Sequence, residues 1–365
     1  ELFGVVTNLF GGWLGARIGL NRTMNIGLFT QIIALGMLLV PSIELTVTWV
    51  MAAQALSGIA KDLNKMSAKS AVKSLAKFQF SDKAGSSIKA ISLESEARLF
   101  KLVAILTGSK NTLKGVGFFL GGVLLALFGF QGAVLTMLSL LCVILLLSLR
   151  YLKQDLGKAK NKPKFKQIFS KSRAINILSG ARLFLFCARD VWFVVALPVY
   201  LASEFDWPHE WVGGFLASWV IIYGLVQSSA PKLINVFSRS AAHANNKEAK
   251  MACFWGLCLT CLTAFIAIAL SIGLSAFWVL MLGLAGFAIV FAINSSLHSF
   301  LIVHYASDDG VSLDVGFYYM ANALGRLLGT LLSGYLYQSY GLTSCIIFSV
   351  VLLLAASMIA IFLPN

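Results

Sequence analysis

The sequence predicts an all-α, polytopic membrane protein, and two observations carry that expectation. Hydrophobic residues make up 58% of the 365 positions and charged residues only 12%, against about 25% charged in a soluble domain. The apolar residues also come in runs of about 20 or more, the length of a helix crossing hydrocarbon and not of the ~10-residue alternating strand of a barrel. A backbone immersed in lipid must satisfy its own hydrogen bonds, so runs of this length fold as helices.

Apolar stretches place spans near 1–14, 24–40, 46–66, 99–127, 131–149, 174–202, 211–236, 251–272, 275–303, 313–338 and 342–363, eleven in all. The chain opens as ELFGVVTNLFGG, without Met and already inside an apolar run. The first span is therefore expected to be partial, and one helix upstream would bring the total to twelve.

The connections set the expected orientation. Those at 15–23, 61–101, 150–173 and 232–250 are basic, with nine Lys or Arg in each of the two middle stretches. The intervening connections hold Glu44, then Glu204, Asp206 and Glu210, and no Lys or Arg. Alternate loops thus share one sign of charge, which marks the basic side as cytoplasmic. This asymmetry accounts for the net charge of +14 without nucleic acid as a partner; the expected partner is the bilayer. The connection at 304–314 is an exception, being acidic with Asp308, Asp309 and Asp314.

Three divisions follow: an N-terminal bundle at 1–149, a basic cytoplasmic linker at 150–173, and a C-terminal bundle at 174–365. The linker, with KAKNKPKFKQ at its centre, reads most simply as a solvated tether. A shift of 212 positions lays Lys114 on Arg326, Gly117 on Gly329, Gly122 on Gly334 and Gly129 on Gly341. Either Gly- and Leu-rich helices look alike by chance, or a six-helix unit is duplicated around a central pathway. The pairs Gly117/Gly121 and Gly325/Gly329 have the spacing that lets helices approach closely.

Charges inside spans are the candidate functional residues, because each costs about 2.5–3.5 kcal/mol at a helix centre. They are Lys61 and Asp62, Lys110 and Lys114, Arg182, Arg189 and Asp190, and Arg326. Counting at about 1.5 Å per residue puts Lys61, Lys114, Arg189 and Arg326 near mid-membrane, on four different helices. Lys110 and Lys114 share a helix face, as do Arg182 and Arg189. The cations outnumber the acids, so pairing alone does not neutralise them, and a polar cavity for a small anion is expected. Arg offers a bidentate fork to phosphate or carboxylate, and Lys a point charge. Asp190 and Asp62 are read in two ways, as carriers of a coupling proton or as structural partners of nearby cations. Lys65 and Lys69, near a helix end, read as snorkelling. Asn111, Asn294, Ser295, Ser296 and His298 offer hydrogen bonds.

No enzyme constellation, metal set or cofactor motif is found. His209, His243, His298 and His304 are scattered, and the six Cys all lie in apolar runs, with Cys258 and Cys261 better read as small packing residues than as a redox pair.

Residues 11–22, GGWLGARIGLNR, resemble the signature loop between the second and third helices of the major facilitator superfamily. Gly12, Leu14, Gly15, Arg17 and Gly19 match; Ala16 stands where that family usually has Asp, and Leu20 where it usually has a basic residue. GVGFFLGG is similar to the family's Gly-rich antiporter-type motif, without its Pro. The stretches QALSGIAKDLNKMSAKSAVK, LTGSKNTLKGVGFFLGG and FCARDVWFVVALP look like ArsJ-type organoarsenical efflux permeases of that superfamily. The resemblance implies a major facilitator fold of two pseudo-symmetric six-helix bundles in a bacterial inner membrane, working as a monomer. It also implies 1-arseno-3-phosphoglycerate as cargo, arsenate resistance as outcome, and possible exchange for protons. An organophosphate/phosphate exchanger and a multidrug exporter are the alternatives.

Overall fold

The computed structural model describes residues 2–41, 45–78, 88–152, 156–160, 163–164, 169, 171–238 and 247–364, with side chains except at 74–78, 88–94, 235–238 and 247–248. Glu44 and His243 lie outside the described residues, as do Lys83, Lys153, Lys162, Lys166 and Arg239 of the basic connections.

Every regular element among the described residues is helical: α1 (Leu2–Ile18), α2 (Leu20–Gly36), α3 (Val47–Phe78), α4 (Ile88–Tyr151), α5 (Arg173–Phe193), α6 (Ala196–Glu204), α7 (His209–Ser238), α8 (Lys247–Ser271), α9 (Ala276–Tyr305) and α10 (Val311–Ile361). Seven stretches among the described residues are long and apolar enough to cross a membrane, and α1 is a shorter apolar helix. Helix α3 has the length but carries Lys61, Asp62, Lys65, Lys69 and Lys73.

The two longest helices are each two spans. Helix α4 has 64 residues and α10 has 51, about 95 and 75 Å at 1.5 Å per residue, against ~30 Å of hydrocarbon. Gly129 breaks the first (φ 65°, ψ −179°) and Gly341 the second (φ 78°, ψ −179°). Only glycine takes such angles without a Cβ penalty. Helices α5 and α6 form one apolar stretch, Arg173–Glu204, interrupted where Pro198 has no N–H to offer Val194. The N–H of Ala196, exposed by this break, donates to Ser333 Oγ at 3.1 Å. Taking α4 and α10 as two segments each and α5 with α6 as one, α1–α10 correspond in position to the eleven apolar stretches read from sequence.

The chain packs as two compact units, Glu1–Ile91 with Gly117–Lys171 and Ala306–Met320, and Ser92–Val116 with Ser172–Tyr305 and Ala321–Asn365. In the first, α1, α2 and α3 pack together. Gly12 meets the start of α10 so closely that an added Cβ would lie 2.5 Å from Ser312 O, and Ser312 Oγ donates to Gly12 O at 2.8 Å. Gly15 faces the same serine. Gly19 turns the chain at φ 105° into α2, and Arg17 lies over the Trp13 ring at 4.9 Å. The loop at 11–22 is thus a seat for the start of α10. Ala16 contributes its carbonyl, which accepts from Ala159 N at 2.8 Å.

Two readings from sequence change here. The 150–173 stretch is docked where described: Leu20 N donates to Leu156 O and Trp13 Nε1 to Pro163 O. Lys171 Nζ is 3.2 Å from Asp314, with a side chain only 2% exposed. Burial pulls its ammonium below the usual value, and Asp314 opposes that shift. Lys65 and Lys69 do not snorkel either. Lys69 is 2% exposed, and the two ammonium groups lie 4.0 and 5.3 Å from the Tyr319 ring centre, a cation–π arrangement.

The acidic connection gains a role from the same contacts. Asp308 lies 3.5 Å from Lys73 Nζ, Asp309 Oδ1 accepts from Lys160 N at 2.8 Å, and Asp314 takes Lys171. Asp308 and Asp314 are thus counter-charges for Lys73 and Lys171, and Asp309 holds the backbone at Lys160.

In the second unit α9 packs between α7 and α8 and touches α5. Its core is aromatic, with Trp192 against Phe287 at 5.1 Å and Phe287 against Phe291 at 5.3 Å. Trp219 Nε1 donates to Leu284 O at 2.9 Å, which satisfies the polar end of a buried indole.

Candidate functional site

The second unit contains a cluster of charged and polar side chains built on α5. Arg182, Phe186 and Arg189 are spaced four and three residues apart, so they line one face of the helix. Phe186 sits between the two guanidiniums, whose carbons lie 3.9 and 4.7 Å from its ring centre. Arg189 also lies 5.5 Å from the Phe291 ring. The ring faces give the cations a partner that carries no formal charge.

Asp190 is fully buried and divides its two oxygens between two helices. Oδ1 accepts from Arg189 Nε at 2.6 Å and lies 2.5 Å from Nη2. Oδ2 accepts from Arg326 Nε, on α10, at 3.0 Å. Two guanidiniums share one carboxylate, so the trio carries a net positive charge. Glycine allows this reach. A Cβ on Gly325 would sit 2.2 Å from Leu183 O, and one on Gly329 would sit 2.7 Å from Cys187 O and 3.0 Å from Asp190 Cβ. Only two small residues one turn apart let α10 press onto α5 at this level.

Arg182 is not part of the trio. It is 4% exposed and donates from Nε to Asn322 Oδ1 at 3.0 Å and from Nη1 to Ser295 Oγ at 3.1 Å. Ser295 Oγ also accepts from Gln227 Nε2 at 3.3 Å, and Gln227 Oε1 accepts from Asn111 Nδ2 at 2.6 Å. A polar chain thus runs from α4 through α7 and α9 to α5 and α10. Nearby on α9, Asn294 Oδ1, His298 Nδ1 and Ser299 Oγ are buried with no hydrogen-bond partner among the described residues.

The other expected residues are placed differently. Lys110 and Lys114 belong to this unit but are exposed on α4. That helix meets α7 through Gly108 and Gly115, not through Gly117 and Gly121, which among the described residues have nothing within 4 Å of an added Cβ. Lys61 and Asp62 belong to the first unit. There Lys61 is exposed, and Asp62 is buried and paired with Lys65 at 3.3 Å. A groove of about 510 Å³ in that unit, among α2, α3 and the end of α4, has no charged lining residue.

Sequence reasoning missed Phe186, Gln227 and Asn322. Two of them had a signal in spacing. Phe186 lies between the flagged arginines on their own face, and Asn322 lies one turn before Arg326. Gln227 carried no such mark.

Comparison with known proteins identifies the architecture. Among solved structures, the human organic anion transporter MFSD10 (TETRAN) superposes with a TM-score of 0.73 at 17% identity, covering 98% of this chain and 82% of that one. The E. coli fucose:proton symporter FucP gives a TM-score of 0.68 at 14% identity, covering 100% and 88%. A bacterial homologue of the iron transporter ferroportin, in an outward-facing state, gives 0.63 at 15%, covering 99% and 88%. No curated protein matches the sequence. The family model of the Major Facilitator Superfamily matches residues 1–301. With that match over most of its length and an all-helical major facilitator fold, this multi-pass membrane transporter of small solutes belongs to the Major Facilitator Superfamily.

Proposed function

We propose that the protein exports a small organic polyanion by alternating access. The carrying observation is the buried, net-positive trio of Arg189, Asp190 and Arg326 beside Arg182. Arginine forks suit phosphate and carboxylate oxygens, and intramembrane ionisable groups mark solute pathways. Arg182, Arg189 and Arg326 are the proposed ligands, with Lys61, Lys110 and Lys114 along the path. The unpartnered polar atoms of Asn294, His298 and Ser299 suit a solute with hydroxyl groups or its bridging water.

The ArsJ-type stretches narrow the cargo to 1-arseno-3-phosphoglycerate, whose removal would confer arsenate resistance. The setting is a bacterial inner membrane with the basic loops cytoplasmic and the protein a monomer. The name of the human neighbour, an organic anion transporter, agrees in chemical class. An inside-negative potential drives anions outward by about 2.3 kcal/mol per charge per 100 mV, so export of a polyanion is downhill without a coupled ion. A coupled proton, on Asp190 or Asp62, is the variant of this reading that a pH gradient across inverted vesicles tests. An inward organophosphate/phosphate exchanger needs the same arginines. A multidrug exporter of cations would favour acids where this site has guanidiniums.

The test is arsenate resistance in cells that also make a glyceraldehyde-phosphate dehydrogenase. Arg189→Gln is expected to abolish resistance at normal membrane abundance. Full resistance in that variant would remove the site from the pathway.

A further inference from the structure

The relation between Asp190 and its two arginines bears on what the carrier does between solutes. Asp190 is 0% exposed, and each of its oxygens engages a guanidinium from a different helix. We propose that Asp190 is a resident counter-ion that lets the unloaded carrier change its facing, so that the protein performs net transport and is not confined to exchange. This rests on the anion reading above.

Buried cations need an anion, because removing either partner of such a pair leaves an uncompensated charge out of water. In the loaded carrier the solute supplies that anion. An unloaded carrier lined only by guanidiniums would have to close around bare charges, and that step would be slow. Such a protein turns only when loaded, which makes it an exchanger. Asp190 removes the obstacle from within the chain.

The two arginines are not equivalent in this scheme. Arg189 adjoins Asp190 on α5 and holds it with Nε and Nη2. It stays with the carboxylate whichever way the protein faces. Arg326 comes from α10, meets Asp190 through Nε, and is 28% exposed against 15% for Arg189. Arg326 is therefore the exchangeable arm, resting on Asp190 when no solute is bound and turning to the solute when one arrives. The close approach at Gly329 keeps the two in range. Nothing here requires Asp190 to change its protonation.

The experiment compares two fluxes in proteoliposomes, with 3-phosphoglycerate as probe: net efflux into solute-free buffer, and exchange with the same solute on both sides. Wild type should show net efflux within about threefold of exchange. In Asp190→Asn the ratio of net to exchange flux should fall at least about tenfold, whatever the loss in exchange itself. Formate, a small external carboxylate, should restore part of the net flux in that variant and leave wild type unmoved. Wild type that only exchanges, or Asp190→Asn with an unchanged ratio, overturns the proposal. If Asp190→Asn is not monodisperse, the charge-balanced D190N/R326Q decides. A near-wild-type ratio with raised KM supports the counter-ion role, and exchange alone overturns it. If wild type moves the probe in neither assay, the anion reading itself fails.

Discussion

Helices α4 and α10 carry the same pattern 212 residues apart and use it differently. Both bend at a glycine with ψ −179° and φ of 65° or 78°. Both place a cation fifteen residues before the bend, Lys114 in one and Arg326 in the other. Beyond that they part. Arg326 reaches a fully buried carboxylate, and the glycines beside it press on α5. Lys114 is exposed, and Gly117 and Gly121 have no neighbour among the described residues within 4 Å of an added Cβ. The shared pattern fixes the backbone of a span. What the span touches is decided by neighbours that the pattern does not encode.

The largest expected effect breaks the pair apart by function. Arg326→Gln should lower kcat/KM for the anion by about 100-fold, because it removes both a solute ligand and one of the two groups on Asp190. Lys114→Gln, an exposed point charge, should cost about tenfold or less. Equal losses in the two variants, measured as initial uptake rates in proteoliposomes, would mean that the two positions do the same work despite their different surroundings.

The same contrast shows what was legible beforehand. The helical, apolar architecture follows from composition and local spacing, so it was readable, and of the charges flagged inside spans Arg189, Asp190 and Arg326 come together. The bends at Gly129 and Gly341 were implicit in the 212-residue register, since glycine alone tolerates positive φ there. Pairings between distant residues left no local trace. Asp190 was flagged beside Arg189, yet its second partner comes from 136 residues away. Arg182 was grouped with Arg189 by a seven-residue spacing, but its acceptors on α9 and α10 lie 113 and 140 residues distant. Asp308 and Asp314 looked anomalous only because their partners, Lys73 and Lys171, are remote in sequence.

A smaller effect tests packing. Gly329→Leu would push a side chain into Cys187 O and Asp190 Cβ. Overpacking of this kind costs about 1–3 kcal/mol or more, so the detergent-solubilised protein should melt several degrees lower. Gly117→Leu, its counterpart at the 212-residue shift, should leave the melting temperature nearly unchanged, because an added side chain meets open space.

The smallest effect should be the one the two helices share. Alanine at Gly129 or Gly341 meets no neighbouring atom of the described residues within 4 Å, so the cost is the backbone's own. A Cβ at such a φ with ψ near 180°, a region kept almost wholly to glycine, costs about 1–3 kcal/mol, and both positions lie in it at nearly equal angles. Gly129→Ala and Gly341→Ala should therefore lower the melting temperature by similar small amounts, although one bend belongs to a lysine-bearing helix and the other to the arginine on Asp190. A clear inequality would show that one bend is held by its surroundings and that the likeness of the two helices is confined to their sequence. Equal shifts would place the repeat in the backbone itself, with function added afterwards by whatever packs against each arm.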